Sequence, residues 1–103
     1  METYTIKHKA KQALRGHRKD GIVGVVASGN CEALFERVLP AHQVEVEIAT
    51  ALTGFRDVWA LVVADFVERA SPGGARISIN DGGATPDVVT LRLLQGAAMM
   101  EQT

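Results

Sequence analysis

The residue best placed for covalent chemistry is Ser28. It ends an apolar, β-branched run, Ile22-Val23-Gly24-Val25-Val26-Ala27, and opens the compact turn signal Ser28-Gly29-Asn30. A serine held at a turn tip between a stiff strand and a glycine is exposed and sterically open. A hydroxyl that a second enzyme modifies needs those properties, although most Ser-Gly turns are only turns. Catalytic groups of the chain's own are harder to assemble. The nucleophile elbow Gly-x-Ser-x-Gly is missing, because Val26 stands where a glycine is required. His8, His17 and His42 share no metal-ligand spacing and read as surface histidines. Cys31 lies between Asn30 and Glu32, which do not favour a thiolate, and reads as a buried, inert thiol. Glu45 and Glu47 share one strand face, and an exposed strand edge accounts for them without acid–base work. Asn80-Asp81-Gly82-Gly83-Ala84-Thr85-Pro86 has glycines that free backbone N–H groups for a phosphate. It lacks the Lys-Ser/Thr of a phosphate loop and reads as a turn between two strands. The expected catalytic and metal-ligating sets are therefore empty.

The elements that must position Ser28 follow from periodicity. Residues 3–8 alternate and are rich in β-formers, predicting a strand, and residues 9–20 read as a polar, basic loop. The run 22–27 predicts a well-buried strand, and the apolar pattern from Cys31 to Leu39 a strand returning as a hairpin, with a helix left open by period alone. In residues 43–50, Val44, Val46 and Ile48 alternate with Gln43, Glu45 and Glu47, the mark of a half-buried strand. One strong helix follows. Phe55, Val58, Trp59, Val62, Val63, Phe66 and Val67 recur at three- and four-residue spacing, Thr53 is placed to cap the start, and Ser71-Pro72-Gly73-Gly74 stops it. Residues 76–80 and 88–94 predict two more strands. The expected order is β-β-β-β-α-β-β. The fold class is α+β: a small mixed or antiparallel sheet of about five or six strands covered by one main amphipathic helix.

At 103 residues the chain suits one domain, and 47% hydrophobic with 22% charged residues is ordinary globular composition. A single cysteine excludes an internal disulfide framework. No apolar run is long enough to span a bilayer and the start lacks a signal-peptide core, so a soluble, cytoplasmic protein with no membrane partner is expected. Charge is uneven. Lys7, Lys9, Lys11, Arg15, Arg18 and Lys19 face only Glu2 and Asp20 within residues 1–20, whereas the remainder is acidic. A basic 7–19 segment suits a phosphate-bearing partner, and equally a solvated loop. The interleaved aromatics that favour single-stranded nucleic acid are absent after Tyr4.

Several segments together resemble one family. Gly21-Ile22-Val23-Gly24-Val25-Val26-Ala27-Ser28-Gly29-Asn30, then Phe35-Glu36, then residues 80–93 from Asn80-Asp81-Gly82-Gly83 to Thr90-Leu91-Arg92-Leu93, are similar to the acyl-carrier (delta) subunit of malonate decarboxylase. The Met-Glu-Thr start and the length also fit, and a more distant similarity is to the acyl-carrier (gamma) subunit of citrate lyase. The resemblance implies a single acyl-carrier domain over residues 1–103, a non-catalytic subunit of a multi-subunit complex. It implies a phosphoribosyl-dephospho-coenzyme A group joined through a phosphodiester to Ser28, with Gly29 and Asn30 completing the attachment turn. The arm's thiol would carry acetyl and malonyl thioesters to acyl-transferase and decarboxylase subunits, after a prosthetic-group transferase has loaded it. Asn30 departs from the family, which usually has Asp after the Ser-Gly pair; it keeps the turn propensity and loses the charge. Phosphopantetheine carriers, acidic helical bundles with an Asp-Ser-Leu motif, do not match. The reading from a different class is a binding or regulatory module that uses the basic 7–19 segment for phosphorylated ligands or nucleic acid, the latter the less expected partner.

Overall fold

The computed structural model describes residues 1–102. The elements are β1 (Glu2–Lys9), β2 (Asp20–Gly24), β3 (Cys31–Arg37), β4 (Gln43–Thr50), α1 (Arg56–Ala70), β5 (Ala75–Asp81) and α2 (Pro86–Met100). The sheet order is β1-β4-β5-β3-β2. Neighbours are antiparallel except β4 and β5, which run parallel with α1 as their crossover. The α+β class and a five-stranded mixed sheet agree with the sequence reading.

Strict alternation puts one face of each strand under the helices. Val44, Val46 and Ile48 of β4, Ile77 and Ile79 of β5, and Cys31, Ala33 and Phe35 of β3 all point inward and are buried. Trp59, Val63, Phe66 and Val67 of α1 and Val89, Leu93, Ala97 and Met100 of α2 close over them. Phe35 and Phe66 meet edge to face at 6.4 Å. Gly96 lies on the Phe35 ring where a Cβ would overlap it, so α2 seats directly on the sheet.

Several expectations need correction. Residues 88–94 are not a strand but the first half of α2. The β-branched Val88-Val89-Thr90 suggested a strand, yet Val89, Leu93, Gly96, Ala97 and Met100 are buried at helical spacing. The start signal is present in the sequence too: Thr85 is the N-cap, its side chain accepting from the Val88 N–H, and Pro86 occupies the first turn. The sheet is therefore covered by two helices, not one. Thr53 does not cap α1, which starts after Phe55 without a side-chain cap. Finally, the run 22–27 is not well buried. Strand β2 ends at Gly24 on the sheet's edge, leaving Ile22, Val25 and Val26 more than half exposed. The acidic pair Glu45/Glu47 likewise lies on an interior strand, facing outward from the uncovered face of the sheet rather than from an edge.

Residues 10–19 depart from β1 but do not hang free. Ala10 and Leu14 are buried, Ala13 bridges Gly73, and the Leu14 N–H donates to the Gly73 carbonyl at 3.0 Å. Arg37 at the end of β3 donates to the carbonyls of Leu14, Arg15 and Arg18, and to that of Met100 at the end of α2, at 2.7–2.9 Å. A guanidinium filled by backbone acceptors in this way holds the segment in one shape.

Candidate functional site

Three connections meet at one end of the sheet: the β2–β3 turn, the 51–55 link into α1 and the 82–85 link into α2. Register requires this, since Cys31 opens β3 opposite Asp81 and Thr50 closes β4 beside the same Asp81. Ser28 sits at the exposed tip of the first connection, and Gly29 beside it has φ +74°. A turn that needs a left-handed residue explains the glycine.

The turn is braced by the Gly82 region. The Val25 N–H donates to the Cys31 carbonyl and the Asn30 N–H to the Ala27 carbonyl, closing the loop on itself. The Gly82 N–H donates to the Asn30 carbonyl at 2.9 Å and the Gly29 N–H to the Gly82 carbonyl at 3.3 Å. Any Cβ on Gly82 would overlap the Ala27 carbonyl oxygen. The glycine stretch expected to be a plain turn between strands is thus a strand-to-helix turn and the seat of the Ser28 loop.

Asn30 does not aim at Ser28. Its Oδ1 accepts from the Cys31 N–H at 2.8 Å and from Arg92 Nε at 3.1 Å. Arg92 reaches over from α2, its Nη1 donating to Gln95 Oε1, and among the described residues it has no carboxylate within ion-pair distance. Sequence reasoning noted Gly82 as part of a turn and Arg92 within the resembling segments but assigned neither to the site; they lie 52 and 62 positions from Asn30. Asp81, noted in the same turn, was likewise given no role there. Its buried carboxylate accepts from Thr50 Oγ1 at 2.8 Å and from the Ala84 N–H at 2.9 Å, pinning two of the three connections together.

The thiol expected to be buried is buried. Cys31 is 1% exposed, and burial, followed by the nearby Asp81 charge, pushes its pKa up to about 11 against a smaller opposing effect of Arg92. Ser28 has no hydrogen-bonded base among the described residues, and no group of three His, Cys, Asp or Glu there is placed to hold a metal. No helix among them is long and apolar enough to cross a membrane. The basic 7–19 segment lies at the far end: β2 and β3 lead away from it to the Ser28 turn, and a strand of five to seven residues spans roughly 17–23 Å.

An α+β sheet-and-helix domain presenting an exposed serine turn is the class that these features define. Comparison with known proteins specifies it further. Residues 18–100 match the family model described as the malonate decarboxylase delta subunit (MdcD), an acyl carrier protein. The chain is 54% identical over 92% of its length to the malonate decarboxylase acyl carrier protein of Bradyrhizobium diazoefficiens, of which it covers 90%. It is 46% identical to that of Xanthomonas campestris pv. campestris, with 98% of this chain and 96% of the relative aligned. Among solved structures it superposes with a TM-score of 0.85 and 32% identity on a chain of a Pseudomonas malonate decarboxylase hetero-tetramer in complex with malonate, covering 97% of this chain and 99% of that one. The chain belongs to the malonate decarboxylase delta subunit (MdcD) family.

Proposed function

We propose that this chain is the acyl carrier subunit of a malonate decarboxylase complex, a single carrier domain that catalyses nothing itself. It presents acetyl and malonyl thioesters on a phosphoribosyl-dephospho-coenzyme A arm attached at Ser28. The observation that carries the reading is the Ser28 turn: an exposed hydroxyl at the tip of a loop whose backbone is fixed against Gly82. Family membership supports reading that hydroxyl as the attachment point.

The residues present fit the arm. Ser28 offers an open approach, and at Gly29 a Cβ would meet nothing within 4 Å, so the root of the arm is unobstructed. Arg92 supplies a cation one hydrogen bond away from the turn through Asn30, a suitable counter-charge for a phosphodiester. Because Asn30 is neutral, that guanidinium is not already neutralised by a carboxylate there. When bound, the arm supplies a thiol whose thioester activates the acyl group, while the protein supplies attachment and reach. In loading, the Ser28 O–H bond breaks and a bond forms from Oγ to the activated phosphate of the precursor, whose leaving group departs. Without a base of its own beside Ser28, the chain depends on a transferase to take the proton. Exposed Ile22, Val25 and Val26 beside the turn give the transferase, acyl-transferase and decarboxylase subunits an apolar surface to read. A cytoplasmic location suits such a complex.

The test is intact mass with peptide mapping of the protein from its native host. A phosphoribosyl-dephospho-coenzyme A adduct on the peptide containing Ser28, absent from Ser28→Ala, is the expected result. An unmodified chain in a host with a competent transferase would overturn the reading and bring the basic-segment binding module forward.

A further inference from the structure

Next to the Ser28 turn the helices part. Between the starts of α1 and α2 lies a cleft of about 300 Å³, walled by Leu52, Phe55, Val58 and Val89, with Trp59 and Asp81 also lining it. Leu52, Phe55 and Val58 are 40%, 45% and 38% exposed, so the opening is apolar and accessible. The other side of the cleft is made by residues 83–86, which follow directly on Gly82, the residue that seats the Ser28 turn.

From this arrangement we infer that the cleft is an intramolecular binding site for the thiol end of the arm, in its free-thiol and acetyl-thioester forms. The inference rests on the carrier reading above. Three observations choose this occupant. The cleft opens at the same end of the sheet as Ser28, so a group tethered there reaches it without a second molecule. Its walls suit a small uncharged end. And Asp81, already committed to Thr50 and the Ala84 N–H, places a carboxylate beside the space and no cation lines it. A malonyl end carries its own carboxylate, which would have to lose its hydration against apolar walls and face a like charge. The cleft therefore sorts the cargo: acetyl and thiol ends are sheltered, while malonyl stays out for the decarboxylating subunit. Tethering on a short flexible chain gives an effective concentration on the order of mM, so even a weak cleft affinity of the same order yields roughly half occupancy.

The test compares the unloaded full chain, the loaded thiol form, and its acetyl and malonyl forms, each verified by intact mass. Backbone amide NMR and the emission of Trp59, the single tryptophan, report the cleft. Acetyl and thiol forms are expected to shift amides 52–62 and 83–89 and to change Trp59 emission, while the malonyl form leaves both as in the unloaded chain. Alkylation of the arm's thiol is expected to be slowed about twofold or more relative to loaded Val58→Asp, whose surface substitution puts a charge at the cleft's wall. A verified loaded chain whose cleft signals superimpose on the unloaded ones overturns this inference and leaves the carrier reading intact. Cleft shifts that arise only on adding partner subunits assign the cleft to a protein surface and also overturn it. Failure of Ser28 to load at all overturns the carrier reading and this inference with it.

Discussion

At one end of the sheet, Arg37 ties a positively charged segment to the body through four backbone carbonyls; at the other, the Ser28 turn carries apolar side chains into solvent. By composition the assignments should be reversed, the basic stretch loose and the β-branched stretch buried. The difference teaches that what holds a loop is where its backbone groups find partners, not how polar its side chains are. Leu14 and Ala10 go inward and their backbone bonds to Gly73 and His42, so the charges of Lys11, Lys19 and Arg18 are carried on a fixed support. Val25 and Val26 lie beyond Gly24, where the edge strand has ended and no neighbour remains to cover them.

The largest effect should come from breaking the fixed end. Arg37→Ala removes hydrogen bonds to four carbonyls that water can only partly replace, and is expected to cost about 2–4 kcal/mol in chemical denaturation. If Ser28 is the attachment point as proposed, its loading, assayed well below the unfolding temperature, should persist, because the two ends are separate. A loading defect as severe as the stability loss would show that they are not. At the presenting end, Gly82→Val forces the Ser28 loop away from its seat. A loss of about 1–3 kcal/mol is expected, together with a fall in kcat/KM for the transferase that exceeds what Arg37→Ala produces.

A subtler contrast concerns Cys31, which lies directly beneath the presenting turn yet is sealed. Its thiol should be alkylated at pH 8 at least tenfold more slowly than in the unfolded chain. Because its folded pKa, about 11, is raised above the ordinary 9.0, the unfolded state deprotonates first on the alkaline side. The contribution is complete below pH 9 and is lost as pH rises toward 11. Cys31→Ala should flatten that part of the stability profile. The smallest effect is expected from Lys11→Glu with Lys19→Glu. Both side chains are exposed, so stability should move by no more than about 0.5 kcal/mol. Loading by the transferase should be unchanged, whereas a clear loss would place the basic segment in the recognition of a partner.

Strand β4 was fully legible because its two faces meet different media, and Gln43–Thr50 alternates accordingly. Helix α2 was not, since 88–94 was read as a strand and only the tail from Gln95 as a short helical turn, although Val89, Leu93, Gly96, Ala97 and Met100 together set the helical spacing. The Thr85-Pro86-Asp87 start would have identified it. Likewise the sequence pointed to Ser28 through a local turn signal, while Arg92 and Gly82 joined that turn only through folding. Contacts across more than 50 residues leave no trace in spacing.

The Arg37 cluster also bears on the order in which the chain assembles. Its acceptors lie up to 63 residues from it and belong to the 14–18 segment and the last residue of α2. The full set of four bonds forms only once β3, the N-terminal segment and the C-terminal helix are all in place, so the cluster is expected to close late in folding. Removing it should leave the refolding rate almost unchanged and appear instead as faster unfolding. In kinetic terms Arg37 is a latch: it sets how long the folded carrier lasts rather than how quickly it forms.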